Sequence, residues 1–316
     1  AASKSPKAGY LNGVGQSAPQ SWRASVPESW KGRSSPRQTA RIASQIRLAN
    51  RRKEPTNANQ FLSKSETLRY LTPSEEAHLR GEIAHAYFIF GYDDKAIRTA
   101  RQAIGKSPET AYMAYWAAGL ASYRSHQYSL ADLYFRTLAV SESAPNLLRS
   151  GAAFWAYRIN LREGNPGDAA RFLNIAKKYP YTFYGLMALK ISGQRTGINF
   201  SLPELSNEFV PWLANKRGGR RVLALLQIAD WTRASRELRY LYNEASQQLR
   251  VDMMVFAVNH NMPGLAFRLA DLHFKETGAS YFTALYPQPE THIEFSVDTA
   301  LIYAIIRKES SFYPLA

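Results

Sequence analysis

From Thr72 onward the apolar positions recur at spacings of three and four residues, and the breaks between these amphipathic runs are themselves regular. Thr72-Pro73-Ser74-Glu75 combines a capping threonine, a proline at the first helical position and a glutamate that closes a capping box, which predicts a helix start. Similar starts follow at Ser107-Pro108-Glu109, at Ala144-Pro145-Asn146 and near Thr182, about every 36 residues. A second series begins near Gly91-Tyr92-Asp93, His126-Gln127-Tyr128-Ser129 and Gly164-Asn165-Pro166 with a similar interval, each leading into an Ala-rich run. Ala96, Ala131 and Ala169 sit early in these second helices, where a small side chain lets a paired helix approach closely.

Two helices per period predict a helix-turn-helix unit of the tetratricopeptide-like class, in which no unit buries its apolar face alone and neighbours complete the core. The expected fold class is therefore all-α, an α-solenoid or superhelix of such helix pairs. After about Gly193 the period loosens, but residues 220–229, 232–247, 251–259 and 263–274 still read as short amphipathic helices. Alternating runs with paired turn residues, the mark of hairpins, do not occur. The periodic part divides into a helical-repeat superhelix over residues 65–200 and a second helical part with a linker over 201–290.

Composition changes the picture mainly at the N-terminus. The net charge is +15, yet residues 1–60 hold 11 Lys or Arg against 2 Asp or Glu, leaving +6 for the remainder. This segment is rich in Ser, Pro, Gly, Asn and Gln, so residues 1–64 read as a basic, largely disordered arm. Arg47, Arg51, Arg52 and Lys53 are candidates to attract an anionic polymer, and Trp22 and Trp30 are candidates to dock on the folded body. Charge alone, without a recognition motif, gives no basis for specific nucleic-acid binding. No stretch approaches the roughly 20 apolar residues needed to span a bilayer, so no transmembrane segment is expected. The chain contains no cysteine, which excludes disulfides, thiolate metal sites and cysteine nucleophiles.

Other chemistry is scarce. His78, His85, His126, His260, His273 and His292 show no two-histidine helical spacing with a carboxylate between, so no metal is expected. Gly218-Gly219 lacks the preceding strand and the following Lys-Ser/Thr of a phosphate loop, and no serine lies in a nucleophile elbow. Tyr112, Tyr115, Trp116, Phe154, Trp155 and Tyr157 fall at helical spacing and are expected mostly in the core, with any exposed ring available to stack on sugar. No cofactor is expected.

The segment from Val297 to Phe312 reads as one helix. Ile302, Ile305 and Ile306 precede Glu309 by seven, four and three positions, which places the carboxylate on the apolar face and predicts that it points to an interior or a cleft. Burial there disfavours ionisation and suits a general acid. A structural ion pair with Arg307 or Lys308 explains the same pattern.

Ala304-Ile305-Ile306-Arg307-Lys308-Glu309-Ser310-Ser311-Phe312-Tyr313-Pro314 resembles the Glu-Ser motif that opens the lysozyme-like catalytic domain of soluble lytic murein transglycosylases. Tyr286-Pro287-Gln288-Pro289 resembles the Tyr-Pro element leading into that domain, and Tyr179-Pro180-Tyr181-Thr182-Phe183-Tyr184-Gly185-Leu186 resembles a signature of the family's helical superhelix. The resemblance covers roughly residues 65–316 and implies that residues 291–316 are the start of a lysozyme-like domain, truncated here.

It further implies a periplasmic enzyme, its export signal removed. That enzyme cleaves the β-1,4 bond between N-acetylmuramic acid and N-acetylglucosamine in peptidoglycan with a 1,6-anhydromuramoyl product. Glu309 takes the catalytic role by motif match, and Ser310 either positions substrate or hydrogen-bonds its own helix backbone. The implied partners are peptidoglycan glycan strands, with other cell-wall enzymes as further candidates. The Gly-Leu-Met-Gln stretch and the later tyrosine of the family's groove do not follow, so this chain is expected to be a truncated form with negligible activity. The competing reading is a non-enzymatic helical-repeat scaffold that binds peptide or glycan in the cell envelope.

Overall fold

A computed structural model describes residues 36–195, 198–288 and 295–313; the secondary structure of the described residues is helical, with no strand among them. The chain forms two compact units, one ending at Thr196 and the other beginning at Gly197.

The first unit contains α1 (Pro36–Arg51), α2 (Pro55–Leu62), α3 (Ser65–Leu68), α4 (Pro73–Ile89), α5 (Asp93–Lys106), α6 (Tyr112–Arg124), α7 (Tyr128–Val140), α8 (Asn146–Arg162), α9 (Pro166–Lys177) and α10 (Phe183–Ile191). Packing is local: α4 lies on α5 and α6, α6 on α7 and α8, and α8 on α9 and α10. The Thr72 capping box forms as expected, with the Thr72 hydroxyl accepting from the Glu75 amide and the Glu75 carboxylate accepting from the Thr72 amide at 2.7 Å. Thr182 caps α10 in the same way, its hydroxyl accepting from the Gly185 amide at 3.1 Å. The start expected at Ser107-Pro108-Glu109 is displaced to Tyr112. Ser107 ends α5 in an extended conformation, and the Thr110 hydroxyl bonds Ser107 Oγ at 2.9 Å, so that signal closes a turn before the helix begins.

The second unit contains α11 (Phe209–Asn215), α12 (Arg217–Gln227), α13 (Trp231–Tyr240), a 3-10 turn (Leu241–Glu244), α14 (Gln247–Asn259), α15 (Pro263–Thr277), α16 (Phe282–Leu285) and α17 (Thr299–Ser310). The run over 232–247 is thus not one helix; it breaks at the 3-10 turn, where the Arg250 guanidinium donates to the Tyr242 carbonyl at 3.2 Å. Fully buried Met253, Leu238, Leu213 and Phe209 centre the core. The single buried carboxylate of α14, Asp252, accepts from the Ser206 amide at 3.2 Å and hydroxyl at 2.6 Å, which fastens the segment before α11.

One local device recurs in both units. Lys53, Gly91, His126, Gly164, Ala229 and Asn261 take left-handed backbone angles, and the residue after each donates its amide to a carbonyl five residues back at 2.8–3.0 Å. This is the left-handed helix cap, which costs a non-glycine residue about 1 kcal/mol and reverses the chain into the next helix. Five residues beyond each cap stands an alanine, Ala58, Ala96, Ala131, Ala169, Ala234 or Ala266, and all six are buried. The small side chain is what permits the returning helix to close on its partner.

The first of these hairpins corrects the expected arm over residues 1–64. Residues 36–62 fold as α1 and α2, and Ile42, Ile46, Ala58 and Leu62 pack with Leu79, Ile83 and Tyr87 of α4. A few apolar residues at helical spacing suffice because α4 supplies the other half of the core. Residues 1–35, with Trp22 and Trp30, lie outside the described residues, as does His292. No helix among the described residues is long and apolar enough to cross a membrane.

Candidate active site

Asp298 caps α17 by accepting from the Ala300 amide at 2.8 Å. Ser311 and Phe312 then take left-handed angles and end it, and Phe312 turns back to be buried beside α15. Its carbonyl lies 2.8 Å from where a Cβ on Gly264 would stand, and its ring centroid is 6.3 Å from that of Phe267. The absence of a side chain at Gly264 is what lets the end of α17 seat there. Arg307 donates from Nε to the Leu285 carbonyl at 3.3 Å, and its guanidinium lies 4.4 Å from the Tyr286 ring and 5.2 Å from the Phe267 ring.

These contacts set the rotation of α17, and they correct one expectation. The contact face is centred on Tyr303, Ile306, Arg307 and Ser310, turned by about 100°, one residue's rotation, from the stripe expected to be buried. No residue of α17 is fully buried; Leu301 is 55% and Ile305 53% exposed, and Glu309 is exposed with them. Glu309 therefore continues an exposed apolar row and does not point into an interior. The alternative ion pair is also not made. Arg307 is stacked on aromatic rings, and Glu309 has no hydrogen-bond or salt-bridge partner among the described residues. Ser310 donates its hydroxyl to the Ile306 carbonyl at 3.0 Å, which is the local backbone bond. Pro314 of the motif and Pro289 of the Tyr-Pro element lie outside the described residues.

The strongest electrostatic perturbations lie elsewhere, on α4. Burial acts to raise the Glu82 carboxyl, but hydrogen bonds from His78 and Arg47, together with their charges, overcome it and hold the group at about 2. Arg47 donates to both Glu82 oxygens at 2.7–3.2 Å and His78 Nε2 lies 3.1 Å away. Arg47 is thus committed to tying α1 to α4, contrary to its expected availability to an anionic polymer. Burial lowers His85 to about 4, against the opposing charge of Glu82. A carboxylate held well below its ordinary value by a guanidinium and an imidazole is a poor proton donor, so this cluster is a structural anchor.

Of the six aromatics expected mostly in the core, Tyr112 and Phe154 are buried, whereas Tyr115, Trp116, Trp155 and Tyr157 are half-buried. Trp155 donates its indole N–H to the Tyr184 hydroxyl at 3.3 Å. In the Tyr179-to-Leu186 stretch, a Cβ on Gly185 would stand 1.9 Å from the Tyr179 carbonyl oxygen. Gly219 repeats that geometry against the Leu213 carbonyl at 1.8 Å, which gives the Gly218-Gly219 pair a packing role. Among the described residues no three His, Cys, Asp or Glu side chains gather as metal ligands. No protein-family model matches the chain, and no curated protein matches it significantly.

Proposed function

We propose that this chain is part of a peptidoglycan lytic transglycosylase of the cell envelope, with Glu309 as its acid and base. The observation that carries the reading is the state of Glu309. Within a motif that resembles the family's catalytic Glu-Ser element, its carboxyl is exposed and has no hydrogen-bond or ion-pair partner among the described residues.

In the proposed reaction Glu309 donates its proton to the glycosidic oxygen as the bond between C1 of N-acetylmuramic acid and the leaving sugar breaks. The resulting carboxylate then accepts the proton of the C6 hydroxyl as that oxygen attacks C1 of the same ring, which closes the 1,6-anhydro bridge. One carboxyl group serves both steps, whereas glycoside hydrolysis uses two. The helix pairs of the first unit form, in this proposal, an α-solenoid that carries the strand-processing part of the protein in the periplasm. Orientation of the glycan supplies much of the rate, and around Glu309 the described residues offer an exposed helix face. The 316-residue chain on its own is accordingly expected to have negligible turnover.

The test uses the protein encoded by the complete reading frame, whatever follows residue 316, incubated with purified sacculi and followed by mass spectrometry. Muropeptides ending in 1,6-anhydromuramic acid are expected. Products carrying a free reducing end, heavier by one water, would assign a hydrolase instead. A protein that pellets with sacculi but releases nothing would favour the scaffold reading, which the neighbour-on-neighbour packing of α4 to α10 supports.

A further inference from the structure

The α12–α13 hairpin of the second unit concentrates the positive charge of this chain. Residues 216–240 hold Lys216 and six arginines against only Asp230 and Glu237, a net +5 of the +15 carried by all 316 residues. Gly219 and Val222 of α12 and Ala234 and Leu238 of α13 are buried. Helical geometry then turns Arg217, Arg220 and Arg221 outward on α12 and Arg233, Arg236 and Arg239 outward on α13, and all six are exposed. The two arcs meet at one edge. Arg221 pairs across the hairpin with Glu237 at 2.5 Å, and Glu237 stands one turn from Arg233, so the arginines form one surface.

Most of this charge is not neutralised. Arg217 and Arg236 have no hydrogen-bond, ion-pair or ring partner among the described residues. Arg220 donates to the Ala214 and Asn215 carbonyls at 3.1 and 3.4 Å, and Arg239 lies 5.7 Å from the Tyr240 ring. The turn between the helices is apolar and open. Ile228, just before the left-handed cap at Ala229, is 69% exposed, more than any other large apolar side chain among the described residues. Trp231, which begins α13, is 44% exposed. The turn is fixed from within: the Asp230 amide donates to the Leu225 carbonyl at 2.9 Å, and the Asp230 carboxylate accepts from the Arg233 amide at 3.0 Å and from its side chain at 2.6 Å. Tyr240, 64% exposed, shares the outer face of α13 with Arg233 and Arg236.

We infer that this hairpin docks on the surface of an anionic phospholipid bilayer, with Ile228 and Trp231 entering the headgroup layer and the arginine surface against lipid phosphates. Arginine supplies six of the seven cations, and its planar fork matches phosphate oxygens two at a time. A dissolved polyanion such as nucleic acid would answer the charge but leave Ile228 and Trp231 in water. A neutral apolar partner would cover the turn but leave the arginines unmatched. An anionic bilayer meets both demands, because its phosphate layer lies directly over an apolar boundary and tryptophan and tyrosine favour that interface. The hairpin lies on the bilayer and does not cross it: α12 and α13 have eleven and ten residues, about half of the roughly 20 that a span needs.

This docking stands on the hairpin alone and is independent of the reaction proposed above. Co-sedimentation of the 316-residue chain with vesicles of equal parts phosphatidylglycerol and phosphatidylcholine, against phosphatidylcholine alone, tests it. Binding is expected to the anionic vesicles only, and it should weaken as salt rises. The variant Arg217→Ala/Arg236→Ala/Arg239→Ala should bind about a hundredfold more weakly, at about fivefold per arginine. The same loss of charge on α1, in Arg37→Ala/Arg51→Ala/Arg52→Ala, should weaken binding by less than about fivefold. Because the chain has no cysteine, Ile228→Cys provides a single thiol for an environment-sensitive nitrobenzoxadiazole label. Its emission should move to shorter wavelength on anionic vesicles, whereas the same label at Leu161→Cys, an exposed position of the first unit, should not shift. An unchanged helical circular dichroism spectrum checks that each variant folds. No binding to anionic vesicles, equal losses from the two arginine triples, or equal shifts at both labelled positions overturns the proposal. Tighter binding to a DNA duplex than to the vesicles, with no shift of the Ile228→Cys label on lipid, assigns the face to a polynucleotide and overturns it as well.

Discussion

Two helices of this chain carry a glutamate close to basic residues, and they treat it in opposite ways. On α4, ten of seventeen residues are buried, and Glu82 is gripped by Arg47 from α1 and by His78 one turn earlier. On α17 no residue is buried, and Glu309 has no hydrogen-bond or ion-pair partner among the described residues. The difference lies in where the basic side chains stand on the helix: His78 is one turn before Glu82, whereas Arg307 and Lys308 precede Glu309 by two and one positions and point about 200° and 100° away from it. Arg307 packs on the Tyr286 and Phe267 rings and donates to the Leu285 carbonyl. A carboxyl group stays open to solvent when the positions one turn away, here Ile305, Ile306, Phe312 and Tyr313, carry no cation.

This contrast can be broken at its packing first. A Cβ on Gly81 would stand 3.0 Å from the Ala114 amide of α6, so Gly81→Val must force α4 and α6 apart. A loss of about 3 kcal/mol is expected, read as an earlier thermal transition of the first unit. Acid acts next. His85 titrates at about 4 when folded and near 6.5 when unfolded, so the unfolded chain takes up the proton first. Stability is full above 6.5 and falls as the pH drops toward 4, by roughly 2–3 kcal/mol. His85→Gln should flatten that decline in urea titrations at successive pH values.

Glu82→Gln should cost about 2 kcal/mol at pH 7, discounted for the 20% of the side chain in solvent. The Glu82 contribution persists above the unfolded value near 4.5 and disappears as the pH falls through about 2. The smallest of these effects is expected at the other helix. Gly264→Ala would push on the Phe312 carbonyl and unseat the end of α17, yet cost only about 1 kcal/mol because α17 buries so little. A loss as large as that of Gly81→Val would mean that α17 is integral to the second unit.

The sequence makes some of this visible and hides the rest for physical reasons. Hairpins marked by Gly91 and Gly164 are legible because glycine favours the left-handed cap, and Ala96, Ala131 and Ala169 are buried as expected. The same cap at Lys53 and Ala229 carries no such mark, because surrounding packing outweighs the small strain. The α1–α2 hairpin is masked by its basic, polar composition and revealed only by its contact with α4. The helical nature of α17 is legible, but its rotation is not. Three isoleucines define a stripe without saying which flank docks, and that is decided by Arg307 and Phe312 reaching residues far back in the chain. The open rings of Phe200 and Tyr286 are hidden in the same way, since helical or loop position alone does not reveal exposure.

The most direct test of the account compares the complete protein and its Glu309→Gln variant on purified sacculi, measuring the rate of 1,6-anhydromuropeptide release beside the thermal transition. The account predicts a rate lower by about 10²–10⁴-fold with stability changed by less than about 0.5 kcal/mol. Undiminished release by Glu309→Gln would contradict it.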